Sequence, residues 1–408
     1  IIIDGLNEPD LYQANKLDMI LAQRKEISMI KLIKPICLSR LLQSMVIINI
    51  CSTVNANTLP ITLNSSNDVS YPAIDEGLNE HLYPNETTTA IEIADIIETS
   101  IRKQYTTGIA LRDAHPKAHG CVHAEFKINE KLPKNLAQGV FIPGKTYQSW
   151  IRFSNGSRDA TQADIKKDAR GIAIKILGVP GTKLLANEAS TQDFIMINHP
   201  VFFVNNPARY LSLMQDINSE HSSKQLHIPF ALGAKGTWIA FNSRNKISNP
   251  LHTRYWSMVP YQMGLGQNRE AVKYSIQACS AFKETIPYAP NHDFLREALK
   301  TSLQKNDACM EFLIQPRTSN TMSVEDSMTE WKENKAPFYK VATIRIPQEV
   351  FDNPEQNKFC ENLSFTPWHT LPEHKPLGAI NRMRKVIYER ISRVRHEMNS
   401  TQRIEPHS

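Results

Sequence analysis

Period-two alternation dominates the middle of the chain. From His119 to Ile128, Val122, Ala124, Phe126 and Ile128 fall on one side of an extended segment. From Thr146 to Ser154 (TYQSWIRFS), Tyr147, Ile151 and Phe153 oppose Trp150, Arg152 and Ser154. Gly171 to Leu177 (GIAIKIL) and Tyr339 to Ile346 (YKVATIRI) repeat the pattern, and Asp193 to Val204 is a nearly continuous apolar run broken at Asn198-His199-Pro200. Such segments predict strands of one curved sheet or barrel. Helical spacing appears over Pro207 to Ile217 and Asp293 to Leu303, with Asn206 and Asn291 available as N-caps. From Pro376 to Met398 the apolar positions Leu377, Ile380, Ile387, Ile391, Val394 and Met398 recur at helical intervals and predict a long amphipathic helix. Asn57 to Glu98, rich in Asn, Ser, Thr and Pro, reads as an extended arm. The order is arm, strand-rich core with inserted helices over 99–350, then a helical region over 351–408, an α+β class.

Composition narrows this picture. A chain of 408 residues with 41% hydrophobic and 22% charged positions can bury a core without metal or disulfide staples. The net charge of +6 is mild for this length, and only the run from Arg382 to Arg395 is dense in basic residues. A nucleic-acid partner is therefore not expected. The first 56 residues read as an address: Lys31, Lys34 and Arg40 precede an apolar stretch from Leu41 to Cys51, and Val54-Asn55-Ala56 forms a small-residue cleavage pattern. Residues 29–56 are expected to be a signal peptide cleaved after Ala56, and residues 1–28 an upstream segment from a start site assigned too early. The apolar stretch is well short of the roughly 20 residues that span a bilayer, so export without an integral membrane segment is expected, to a secreted or periplasmic location. Cys121, Cys279, Cys309 and Cys360 would then remain, as disulfides or as buried thiols, with the pairing open.

Two segments carry candidate chemistry. Arg384, Tyr388 and Arg395 are spaced by four and seven residues and project from one helical face. A phenol becomes a usable anionic metal ligand only beside a positive charge, which an arginine one turn away supplies. Upstream, RDAHPKAHG from Arg112 to Gly120 leads into the first strand, with His115, His119 and His123 crowded together. His369 and His374 in WHTLPEH lack zinc spacing and are expected to be structural.

Taken together, these segments resemble the haem catalases, most closely their small catalase-like peroxidase branch. RDAHPKAHG is similar to the distal-histidine block, WIRFSNGSRDA and DARGIAIKIL to the next two core strands, and DFIMINHPVFFVNNPARY to the distal-asparagine block. YKVATIRIP with SFTPWH resembles the segment before the ligand helix, and RKVIY matches the proximal Arg-x-x-x-Tyr pattern. The resemblance implies a catalase-like antiparallel β-barrel holding b-type haem, with Tyr388 as the axial ligand of the iron and Arg384 as its charge partner. It implies His115 as distal base, His119 being the fallback, with Ser154 orienting the imidazole and Asn198 donating a hydrogen bond. Arg112, Arg152 and Arg395 are implied as propionate ligands, Tyr210 as an aromatic stacked on the porphyrin, and Phe202 and Phe203 as the substrate approach. The implied activity is reduction of hydrogen peroxide or organic hydroperoxides through a ferryl centre at the expense of an electron donor, in a homo-oligomer. The alternatives are a fatty-acid hydroperoxide lyase or dehydrase, which Ala114 disfavours because it has no hydroxyl to restrain the histidine, and a haem-binding protein with degenerate activity.

Overall fold

A computed structural model of the chain describes residues 70–406 apart from 282 and 283. The expected leader, its cleavage point and the start of the expected arm lie outside the described residues. Nine strands form one antiparallel sheet: β1 (Ala118–Ile128), β2 (Thr146–Asn155), β3 (Arg170–Ile176), β4 (Gln192–Ile197), β5 (Tyr255–Trp256), β6 (Tyr261–Met263), β7 (Glu270–Ala278), β8 (Ala308–Pro316) and β9 (Tyr339–Ile346). Their order is β5-β4-β3-β2-β1-β9-β8-β7-β6, and β5 pairs with β7 as well as β4. That second pairing closes eight strands into a barrel and leaves β6 beside β7. The predicted alternation is met on β1, β2, β3 and β9, whose inward residues Phe126, Ile151, Phe153, Ile174 and Ile344 are buried. Phe126, Phe141, Phe194, Tyr274 and Phe312 fill the interior, with Phe194 and Phe312 centroids 4.8 Å apart. A packed interior cannot hold a cofactor, so any site must lie on the barrel's outer face.

Six helices of nine or more residues lie outside the barrel: α1 (Glu86–Gln104), α2 (Pro207–Ile217), α3 (Ile228–Asn242), α4 (Phe294–Lys305), α5 (Pro354–Asn362) and α6 (Ala379–Met398). α2 and α6 match the predicted helices, and the Asn206 side chain accepts from Arg209 N–H at 2.9 Å as the expected N-cap of α2. Asn291 does not cap α4. Asp293 takes the N-cap position, and Asn291 Oδ1 accepts from Asp293 N–H instead. The expected arm is also corrected, because its last part is helix α1, whose Ala90, Ile93, Ala94, Ile97 and Ile101 are buried against Met214, Met383 and Ile387. Those five positions form an i, i+3, i+4 stripe, and burying it outweighs the polar composition of the segment.

Two arrangements hold α5 and α6 in place. Arg382 on α6 is fully buried among three carboxylates, Glu80 at 2.6 Å, Glu86 at 2.7 Å and Glu325 at 2.9 Å. A disulfide joins Cys121 on β1 to Cys360 on α5, and a second joins Cys279 to Cys309 at the ends of β7 and β8. All four cysteines of residues 70–406 are thus paired.

Candidate functional site

The strand register assembles the first half of the site. Ser154 on β2 lies opposite Gly171 on β3, and Gly171 lies opposite Ile197 at the end of β4. His115 precedes β1 with φ +61, a left-handed backbone that turns its ring back toward this row. Its Nδ1 lies 3.0 Å from Ser154 Oγ. A Cβ on Gly171 would stand 2.5 Å from that Nδ1, so the ring seats only against a glycine. Asn198, one residue past β4, accepts at Oδ1 from the Arg170 N–H at 2.7 Å, while its own N–H donates to the Arg170 carbonyl. Both contacts orient the side-chain amide so that Nδ2 is the group left to donate. Burial, with Arg152, Arg384 and Arg112 nearby, holds the His115 imidazole down to about pKa 4. It is therefore neutral near pH 7.

His119 is separated from this row. Its Nε2 lies 2.8 Å from Asn155 Oδ1, in a buried group with Asp164 and Arg170. Of the two candidate histidines, only His115 meets Ser154. His123, on the exposed side of β1, pairs with Glu349 at 3.0 Å.

Helix α6 supplies the second half. Arg384 Nη2 donates to Tyr388 Oη at 3.2 Å, and its guanidinium lies 5.0 Å from the Tyr388 ring centroid. Arg384 Nη1 donates to Asn381 Oδ1 at 3.0 Å, which fixes the plane of the fork. Burial alone would lower the Arg384 pKa, but Tyr388, Tyr261 and Tyr210 outweigh it and hold it above the ordinary value. Arg384 is a permanent cation one turn from the phenol. The Tyr210 hydroxyl is raised, first by burial and then by Tyr388, and both rings pack against the cluster of Met214, Met383 and Ile387. Tyr210 packs edge-on to Phe202 at 5.9 Å, and Phe202 stacks on Phe203 at 4.2 Å. The predicted aromatic residues are thus adjacent to one another.

The three predicted arginines also converge, and on a residue that sequence reasoning missed. Glu361, on α5 beside the Cys360 disulfide, lies 2.6 Å from Arg112, 2.9 Å from Arg395 and 3.9 Å from Arg152. These cations outweigh the opposing effect of burial and lower the Glu361 pKa. Burial, then repulsion from Arg112, pushes Arg152 and Arg395 each down to about 9, still protonated near neutrality. Three cations against one carboxylate leave two positive charges in a mostly buried place. Arg152 Nε is there a buried donor without a protein acceptor. An acidic residue in ENLSF offers no chemical signal, and only the fold aims it at the arginines.

These residues fit a haem. Two uncompensated positive charges match two propionates, and a tyrosine backed by arginine matches an anionic ligand for ferric iron. A neutral, restrained imidazole and an amide donor lie on the barrel side. The buried set Glu188, Asp193 and His369 is less suited to a metal, because Lys175 Nζ already lies 2.8 Å from Asp193 and pairs with Glu188. His374 accepts at Nε2 from Val140 N–H at 3.0 Å and is part of the core. A cavity of about 790 Å³ beside α4 and the Cys279–Cys309 bridge is lined by none of the predicted site residues.

Comparison with known proteins finds catalases. The catalase family profile matches residues 84–259, which takes in His115, Ser154 and Asn198 and stops before Tyr388. No curated protein sequence matches the chain. Among solved structures, a fungal catalase superposes with TM-score 0.57 at 18% identity, over 74% of this chain and 63% of its own. Catalase A from Saccharomyces cerevisiae gives 0.56 at 18% identity, over 74% and 66%, and a bacterial catalase gives 0.59 at 16% identity, over 83% and 67%. The chain thus spans about two thirds of the length of these catalases. The profile matches the distal block and the barrel is shared with catalases, so the chain is similar to the catalase family over residues 84–259 and has a catalase-like fold.

Proposed function

We propose that the protein is a haem-dependent hydroperoxidase that reduces hydrogen peroxide or organic hydroperoxides, in which Tyr388 would hold a b-type haem and His115 would serve as the base. The observation that carries this reading is that Arg384 donates to Tyr388 Oη and is also near enough to His115 for its charge to lower that imidazole. The two segments are also linked by contact, since Arg152 donates to the His115 carbonyl at 2.9 Å and shares Glu361 with Arg395 of α6. Arg112, Arg152 and Arg395 would hold the propionates while also pairing with Glu361. Tyr210 would rest against the porphyrin, and Phe202 and Phe203 would flank the approach.

The chain's own part is proton handling and positioning. With Nδ1 engaged by Ser154 Oγ, His115 presents Nε2 as the basic atom. Nε2 takes the proton from the nearer oxygen of a bound peroxide and returns it to the farther oxygen, which leaves as water or alcohol. Asn198 Nδ2 donates to the oxygen that gains charge, a contact of the kind worth about 2.7–4 kcal/mol in related electrostatic sites. Arg384 sets a fixed positive charge and a hydrogen bond against the Tyr388 oxygen, the atom that would hold the iron. When bound, haem supplies the iron that cleaves the O–O bond and a ring that stores the oxidising equivalents until a reductant returns them.

The likeness of the ordered blocks to small catalase-like peroxidases supports peroxidase turnover with an external electron donor, alongside oxygen release. Two disulfides support export to an oxidising compartment through the 29–56 leader. Assembly as a homo-oligomer is proposed on the family resemblance.

Two variants test the reading. Tyr388→Phe should yield protein without haem colour, and His115→Ala should keep the haem spectrum while losing about 10²–10⁴-fold in peroxide turnover. Unchanged pigment in Tyr388→Phe would overturn the ligand assignment. Unchanged turnover in His115→Ala would leave a haem-binding protein without acid–base catalysis.

A further inference from the structure

Helix α3 differs from the other helices in having large apolar residues on its outer side. Ala231, Leu232, Gly236 and Ile239 face inward, against Val204, Leu213 and Phe203. A Cβ on Gly236 would stand 2.5 Å from the Phe203 carbonyl oxygen, so the helix is seated closely. Yet Phe230 is 82% exposed, Trp238 64%, Phe241 68%, and Leu226 just before the helix 74%. Four such side chains within sixteen residues make an apolar patch of the kind that marks an interaction site.

The charge around this patch specifies what covers it. From His221 to Ser248 the sequence contains no Asp or Glu, while Lys224, Lys235, Arg244 and Lys246 are all exposed. Lys167 lies 5.6 Å from the centroid of the Phe241 ring. An acid near the patch, Asp326, is 3.9 Å from Lys235. Aromatic and aliphatic side chains set among cations match hydrocarbon lying beneath anionic headgroups. At 15 residues α3 is about 22 Å long, too short to span a bilayer of about 30 Å, and it is interrupted at Gly233 with φ +66. We propose that α3 and its flanks dock flat on the surface of an anionic lipid bilayer, with Phe230, Trp238 and Phe241 reaching below the headgroups. This inference is independent of the haem reading, because it rests on residues outside that site.

Trp238 makes the test specific. It is the exposed one of the chain's five tryptophans, and none lies in the first 66 residues. The full chain is mixed with vesicles of phosphatidylcholine and phosphatidylglycerol whose acyl chains are brominated near the headgroup, and tryptophan quenching is recorded. Quenching is expected for the native protein and should vanish in Trp238→Phe. The Lys224→Glu, Lys246→Glu double variant should need about tenfold or more additional lipid to reach the same quenching. Binding with Trp238 unquenched would overturn the proposal, as would equal quenching by pure phosphatidylcholine vesicles. A lipid-free dimer that dissociates on Phe230→Ser, Phe241→Ser would overturn it in favour of a second copy of this chain.

Discussion

His115 occupies a conformation that few residues adopt without tertiary support, with positive φ and a ring packed against the α-carbon of Gly171. Gly171→Ala would place a methyl group inside contact distance of both His115 Nδ1 and Ser154 Oγ. We expect it to lower peroxide turnover by about tenfold or more, with haem content unchanged, as read by activity per unit of haem absorbance. Because burial and three arginines hold the imidazole to about pKa 4, the neutral base persists well below the usual histidine range. The acid limb of kcat/KM should therefore fall near pH 4, and a limb near 6.5 would show that His115 is not the group titrating. At this scale the residue types in RDAHPKAHG, RKVIY and the arginines were readable, since each is tied to a chemical role. The resemblance already favoured His115 over His119, and the structure adds the Ser154 contact to it, whereas Glu361 needed the fold.

Helix α5 is one of the shorter helices, yet it holds Glu361 against the three arginines and is tied by Cys360 to β1. The Cys121–Cys360 bridge closes a loop of 239 positions, and its loss by Cys121→Ser, Cys360→Ser should lower stability by about 2–5 kcal/mol in denaturant titration. A change below about 0.5 kcal/mol would mean that α5 is held by its packing alone. Some elements that escaped sequence reading did carry a signal. Val272, Tyr274 and Ile276 alternate with Lys273, Ser275 and Gln277 along β7, and Met310, Phe312 and Ile314 do so along β8. The stripe of α1 was likewise present beneath a polar composition. β5, with two residues, had none, because no periodicity exists at that length.

Four histidines among the described residues lie inside the fold with depressed pKa values: burial is the first cause in each, giving about 4 for His115, about 3 for His119 and His374, and a value well below the ordinary one for His369. Above the unfolded value of 6.5 both states are neutral and nothing is lost. Below it the unfolded chain takes up protons that the native chain refuses, so stability falls as pH drops from 6.5 toward these values. Glu361 and Glu86, lowered by their arginines against the effect of burial, add a further loss below the ordinary glutamate pKa of 4.5. Tm should therefore decline steadily from pH 7 to pH 4, and a Tm constant over that interval would contradict the burial of these groups. By itself the sequence determined the α+β class, five of the barrel strands, the helix that carries Arg384 and Tyr388 and the chemical cast of the site, because periodicity and side-chain chemistry are local properties. Tertiary structure decided the closure through β5, the pairing of the cysteines, the convergence of three arginines on Glu361 and the seating of His115 against Gly171. Each of these depends on which distant segments become neighbours, and that follows from the packing of the whole barrel and its helical cover.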